Sequence, residues 1–153
     1  MPYNLLIING PNLGRLGERE PAIYGVAGLD SLPARLMEVL GDEFNEIEFA
    51  YYHSNHEGYL VDRLEEAYDA GTDGIIINAG AFTHTSLALA DCLAWIKIPY
   101  IEVHISNVFA RAEKIRHKSL IAGHALGVIS GFGLYGYGVA AKALLHHLRT
   151  GAL

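Results

Sequence analysis

The sequence predicts a doubly wound α/β sandwich, a five-stranded parallel sheet with helices on both faces. Three observations predict it. Short apolar runs rich in β-branched residues alternate with amphipathic helical stretches, the pattern of a sheet covered on both sides. Turn formers separate the two kinds of segment, with Gly71 and Pro99 placed where helices should stop before the next strand. A chain of 153 residues with 51% hydrophobic content can bury one proper core but is short for two domains, so residues 1–153 read as a single domain.

The expected strands, in order, are Leu5–Asn9, Glu46–Tyr52, Gly74–Asn78, Tyr100–His104 and Ala125–Ser130. Between them Leu32–Leu40, Gly58–Ala70, Ser86–Trp95 and Val139–Leu148 carry apolar residues at intervals of three and four, as in Leu60, Val61, Leu64, Ala67 and Tyr68. These read as helices, and the whole as a flavodoxin-like arrangement. No repeat, linker or low-complexity segment interrupts it.

Charge and cysteine content narrow the function. Eleven Lys and Arg against 17 Asp and Glu leave a net charge of −6, which repels nucleic acid and anionic membranes at long range. The single cysteine, Cys92, lies among Ala90, Leu93 and Ala94, reads as a small buried residue, and fits a reducing, cytoplasmic home. The opening Met1-Pro2-Tyr3-Asn4 lacks a basic secretory n-region. The stretch Ser119–Ala141 has no Asp, Glu, Lys or Arg, but its six glycines and His124 suit a buried strand, a Gly-rich turn and a helix start better than a membrane span.

In open parallel sheets, ligands bind beyond the carboxyl ends of the strands. Those positions are polar here. The first strand runs into Asn9-Gly10-Pro11-Asn12, the second into His53-Ser54-Asn55-His56-Glu57, the third into Asn78-Ala79-Gly80, and the fourth ends in Glu102-Val103-His104. Such residues also serve as ordinary loop formers and helix caps, but four clusters on one rim point to a site. Glu102 and His104, two apart on a strand, leave on the same face with Cβ atoms about 7 Å apart. The carboxylate can then orient the imidazole as a proton donor, although a purely structural His–Glu hydrogen bond has the same pattern.

The long segment after the first strand holds Arg15, Arg19, Tyr24 and several glycines, a lid-like composition. A tyrosine on a loop is often only a packing residue. Beside a guanidinium it loses its proton more easily, and bringing a phenol from ~10 to about 7 takes on the order of 4 kcal/mol, which close cations in a desolvated pocket supply.

Other motifs are set aside. His53, His56, His84 and His104 have no established zinc spacing and no companion cysteine, so no metal is expected. Gly131-Phe132-Gly133-Leu134-Tyr135-Gly136 matches the dinucleotide pattern but has no acidic residue or second strand after it. His146-His147 reads as a solvated helix end. A phosphate-binding hydrolase or transferase on the same scaffold would need a phosphate loop, which the sequence lacks.

The motifs together carry a resemblance over nearly the whole chain. Asn9-Gly10-Pro11-Asn12-Leu13, Arg19-Glu20-Pro21 with Tyr24-Gly25, Ser54-Asn55-His56-Glu57-Gly58, Asn78 with Gly80-Ala81 and Thr83-His84-Thr85-Ser86, Glu102-Val103-His104-Ile105-Ser106-Asn107, Arg116-His117 and Gly136-Tyr137 resemble the type II 3-dehydroquinate dehydratases. The resemblance implies a cofactor-free hydro-lyase of the shikimate pathway or of quinate breakdown, acting on 3-dehydroquinate. Tyr24 would be the base, assisted by Arg19. Asn12 would stabilise an enolate through a water, and His104, held by Glu102, would protonate the departing hydroxyl. Asn78, His84 and Arg116 match residues that hold substrate hydroxyls, the backbone N–H groups of Ile105 and Ser106 match those that bind its carboxylate, and Asp91 matches a residue reaching a neighbouring subunit's site. A homo-oligomer of trimers assembling into a dodecamer is implied as well. The chain departs from the family at Gly14-Arg15, His53, Ala79 and Phe82. Arg111 and Arg116 are five apart where the family usually has four, so Arg111 is an alternative to Arg116.

Overall fold

A computed structural model describes residues 1–18 and 28–152. Five parallel strands form one sheet, β1 (Tyr3–Asn9), β2 (Ile47–His53), β3 (Gly74–Asn78), β4 (Tyr100–His104) and β5 (Gly127–Ser130), in the order β2-β1-β3-β4-β5. Registers such as Asn9 opposite both His53 and Asn78, and His104 opposite Ser130, bring the carboxyl ends of the strands to one rim. The expected fold class holds. The order reverses between β2-β1 and β3, the switch point at which such sheets bind ligands.

Alternation within the strands builds two cores. Leu5, Ile7, Ile76, Ile101 and Val103 face helices α1 (Leu32–Leu40) and α4 (Tyr135–Thr150), while Leu6, Ile8, Ile75, Ile77 and Tyr100 face α2 (Glu57–Asp69) and α3 (Leu87–Ile96). Both faces are buried, so β1, β3 and β4 read as continuous apolar runs rather than alternating ones. The helix ends follow local chemistry. Ser86 Oγ accepts from Leu89 N–H at 3.0 Å and caps α3, and α1 starts with a proline in its first turn. Gly41, Gly71 and Gly151 follow α1, α2 and α4 with positive φ.

Several expectations need correction. Helix α3 ends at Ile96, ahead of Pro99 as expected, but the residue that caps it is Lys97, in the left-handed region at φ 56°. Residues Ala122–His124 form a 3-10 turn, so β5 begins at Gly127 rather than Ala125. That strand is an exposed to half-buried sheet edge, not a buried strand, because among the described residues no strand pairs beyond it. Helix α4 starts at Tyr135, one turn before Val139, since Gly136 and Gly138 lie inside it. A Cβ on Gly138 would sit 2.5 Å from Val39 Cβ, so the glycine is what lets α1 and α4 approach. Of the pair expected at a solvated helix end, His146 is exposed but His147 is half-buried, with Nδ1 out of contact with solvent. Among the described residues, no helix is long and apolar enough to cross a membrane.

Candidate active site

The rim at the switch point is a cleft of about 110 Å³. Three strand ends supply it: Pro11, Asn12 and Leu13 after β1; Asn78, Gly80, Ala81 and His84 at the end of β3; His104, Ile105 and Ser106 at the end of β4. Val108, Arg111 and Arg116 close the remaining side.

The ends of β1 and β3 meet backbone against backbone. Gly10 N–H donates to Asn78 C=O at 2.7 Å, and a Cβ on Gly10 would lie 2.3 Å from the Ala79 carbonyl oxygen. Only glycine permits that approach. Asn12 follows in the left-handed region at φ 68°, a conformation asparagine tolerates better than most residues. Its N–H donates to Asn55 Oδ1 at 2.9 Å, and Gly14 N–H donates to His53 Nε2 at 3.1 Å. The end of β2 thus holds the β1 loop by two side-chain acceptors. A Cβ on Gly14 would come within 2.6 Å of the His53 ring, so the departures at positions 14 and 53 accommodate each other. Partial desolvation of that ring lowers the His53 pKa below its ordinary 6.5, with a smaller opposing effect from the Gly10 backbone.

Glu102 and His104 meet as the i, i+2 spacing predicts. His104 Nε2 lies 2.5 Å from Glu102 Oε2, and both side chains are buried. Glu102 Oε1 accepts from Ser119 Oγ at 2.6 Å, so each carboxylate oxygen has a partner, as a buried carboxylate requires. With Nε2 committed to Glu102, Nδ1 is the ring nitrogen left to serve the cleft. The His84 ring stacks on His104, centroids 6.3 Å apart and 14° from parallel. Its Nδ1 lies 2.6 Å from Lys118 C=O; a carbonyl only accepts, so Nδ1 carries the hydrogen and Nε2 is left over.

Asn78 is held on two sides. Its Oδ1 accepts from Gly80 N–H at 3.1 Å, and its amide donates to the hydroxyl of Tyr137 at 3.0 Å. Tyr137 in turn donates to Asn9 Oδ1 at 2.5 Å. Burial pushes the Tyr137 pKa far above that of a free phenol, so this tyrosine is a fixed neutral donor.

The glycines of the dinucleotide-like stretch act on the strand itself. Gly131 N–H donates to His104 C=O and Gly133 N–H to Ile105 C=O, both at 3.0 Å. That turn clamps the end of β4.

Of the residues singled out from sequence, Asn12, Asn78, His84, His104, Ile105, Ser106 and Arg116 line the cleft, with Glu102 behind His104. Arg111 lines it too, so the wider spacing of the two arginines keeps both at the rim. Arg116 pairs with Glu113 at 3.5 Å, its Nε buried. Asp91 is exposed on α3 and does not line its own chain's cleft. Arg19 and Tyr24 lie outside the described residues. Arg15 is exposed and pairs with Glu18 at 3.1 Å. Cys92 is buried, its thiol pushed up to about 11 chiefly by desolvation. Sequence reasoning missed Ser119 and gave Asn9 and Tyr137 no role; their partners lie far away along the chain.

A parallel sheet of this order, with an anchored carboxylate–imidazole pair beside a polar cleft at the carboxyl ends of its strands, defines a flavodoxin-like α/β protein. The family model for "Dehydroquinase class II" matches residues 3–145. A 3-dehydroquinate dehydratase from Synechococcus sp. (strain CC9605) is 49% identical over 149 residues, covering 97% of this chain and 99% of the relative. Among solved structures, the type II dehydroquinase from Butyrivibrio crossotus DSM 2876 superposes with a TM-score of 0.87 at 46% identity, covering 94% of this chain and 98% of that one. That from Propionibacterium acnes gives 0.82 at 40% identity, covering 97% and 98%. The chain belongs to the class II dehydroquinase family.

Proposed function

We propose that this chain is a 3-dehydroquinate dehydratase, a hydro-lyase that removes water from 3-dehydroquinate to give 3-dehydroshikimate. The observation that carries the reading is the buried Glu102–His104 pair at the rim of a polar cleft, in a chain that belongs to this family. Elimination needs a base for the proton alpha to the ketone and an acid for the leaving hydroxyl. Tyr24, assisted by Arg19, is the base. Removing that proton gives an enolate, which Asn12 stabilises through a water. A doubly protonated His104, with Nε2–H on Glu102, passes its other proton from Nδ1 to the departing hydroxyl, which leaves as water on the opposite face. Asn78, His84 and Arg116 hold the substrate's hydroxyls, with Arg111 able to share the task of Arg116. The N–H groups of Ile105 and Ser106 hold its carboxylate. No metal, cofactor or imine takes part.

The functional unit is a homo-oligomer of trimers forming a dodecamer, with Asp91 reaching an adjacent chain's site, and it works in the cytoplasm, in aromatic biosynthesis or quinate breakdown. Exposed Leu87 and Trp95 on the α3 side and Phe109 and Val128 beside β5 support assembly, since a subunit would otherwise leave them in water. Incubating the purified protein with 3-dehydroquinate should produce the ultraviolet absorbance of a conjugated enone, and borohydride with substrate should leave it active. No enone, or a trapped lysine adduct, would overturn the reading.

A further inference from the structure

The segment from Lys118 to Ala122 runs beside the cleft and is tied to two elements, the turn Gly80–His84 after β3 and strand β4. Lys118 C=O accepts from His84 Nδ1 at 2.6 Å, Leu120 N–H donates to Thr83 C=O at 2.9 Å, and Ile121 C=O accepts from the Tyr100 hydroxyl. Tyr100 is buried and its phenol is pushed up to about 12, first by burial and then by Glu102, so it remains a donor.

Ser119 sits at the centre of this segment. Its Oγ lies 3.2 Å from Ile121 N and 3.0 Å from Ala122 N, and 2.6 Å from Glu102 Oε1. Backbone N–H groups can only donate, so they occupy the lone pairs of the hydroxyl oxygen. The one hydroxyl hydrogen must then point at Glu102 Oε1. A donor aimed at a carboxyl group favours its ionised form, and here that donor is fixed by two amides rather than free to rotate away.

We propose that Ser119 is a positioning residue for the proton donor: by donating to Glu102 Oε1 it keeps Glu102 ionised, so that the proton shared at Oε2 stays on His104 Nε2 and Nδ1 faces the cleft. Without Ser119 the pair has a second arrangement of equal proton count. Glu102 takes the proton at Oε2 and donates to Nε2, and the neutral ring carries its hydrogen on Nδ1. That form offers the substrate a hydrogen but no cation behind it. The proposal rests on the reading of His104 as the acid, but its first test needs no substrate.

That test is nitrogen NMR of isotope-labelled imidazoles in the full-length protein near neutral pH, comparing wild type with Ser119→Ala and Ser119→Thr. Wild type and Ser119→Thr should show His104 protonated at Nε2, and Ser119→Ala should show that signature diminished. In the enone assay, Ser119→Ala should lower kcat roughly 10- to 150-fold, the range for losing a hydrogen bond to a charged group, with KM changed less than about twofold. Ser119→Thr, which keeps the hydroxyl, should recover most of it. If Ser119→Ala fails to fold, Ser119→Cys, a weaker donor of similar size, takes its place with a smaller loss expected in the same direction. An unchanged Nε2 signature with unchanged kcat, even alongside a lowered Tm, would overturn the proposal. Loss of the signature in a protein whose wild type makes no enone would sustain the positioning role and reject the proposed substrate.

Discussion

Tyr137→Phe removes one buried oxygen and nothing else, so its consequences can be worked out from the groups it touches. The ring stays in the core and no cavity opens. What changes is that Asn9 Oδ1 loses its donor and Asn78 loses the acceptor for one amide hydrogen, and both asparagines are 3% exposed. Stranding a buried donor or acceptor costs about 1–3 kcal/mol each. Against that, folding no longer desolvates a hydroxyl, which returns roughly 0.5–2 kcal/mol. The net destabilisation is about 2–3 kcal/mol, a substantial part of the ~5–15 kcal/mol that holds a domain together. Equilibrium unfolding in urea should show the midpoint falling by about 1 M at unchanged slope. Asn78 should also lose its fixed orientation, raising KM for 3-dehydroquinate more than it lowers kcat. A midpoint within about 0.2 M of wild type would refute the reasoning, because the two asparagines would then be finding other partners.

His104→Ala should lower kcat by about 10²- to 10⁴-fold in the enone assay, with binding of a substrate analogue retained. Tyr24→Phe should likewise abolish turnover while the ligand still binds; activity within about tenfold of wild type would remove Tyr24 from the mechanism. Gly138→Ala sets two effects against each other. Alanine gains about 1 kcal/mol in helix propensity, but its Cβ would lie 2.5 Å from Val39 Cβ, and separating α1 from α4 costs more, typically ~1–3 kcal/mol for overpacking and occasionally more, so Tm should fall. Because Val39→Ala keeps that Cβ, only Val39→Gly relieves the overlap. For His53 the folded pKa lies below 6.5, so the unfolded chain binds the extra proton first as pH falls. Its contribution is complete above the unfolded value and is lost between 6.5 and the lower folded value; wild type minus His53→Gln, measured by urea unfolding against pH, isolates it.

The central strands were legible because a parallel strand buried on both faces needs an unbroken apolar run, and Gly74–Asn78 and Tyr100–His104 are found where the runs place them. The first turn of α4 was not. Gly136 and Gly138 weaken a helix locally, and only packing against Gly131 and Val39 makes them useful there. The edge position of β5 was equally hidden, since Val128-Ile129 looks the same whether or not another strand follows. At the rim, Glu102 and His104 declare themselves through strand periodicity. Ser119 and Tyr137 act across the fold from segments with no periodic relation to their partners, so neither spacing nor composition points to them.

The segment from Lys118 to Ala122 has a consequence for how this protein can vary. His84 hangs from its carbonyl at position 118, and Glu102 from its hydroxyl at 119. Two residues on different strand ends therefore share one support, and their mutational effects should not add. A change in the segment that shifts both imidazoles together preserves their stacking, whereas a change at one anchor leaves the other mispositioned. Substitutions here should be strongly epistatic. A variant tolerated at position 118 in one background would be damaging once Ser119 or Thr83 has changed, and sequence drift along this stretch should proceed by paired rather than single steps.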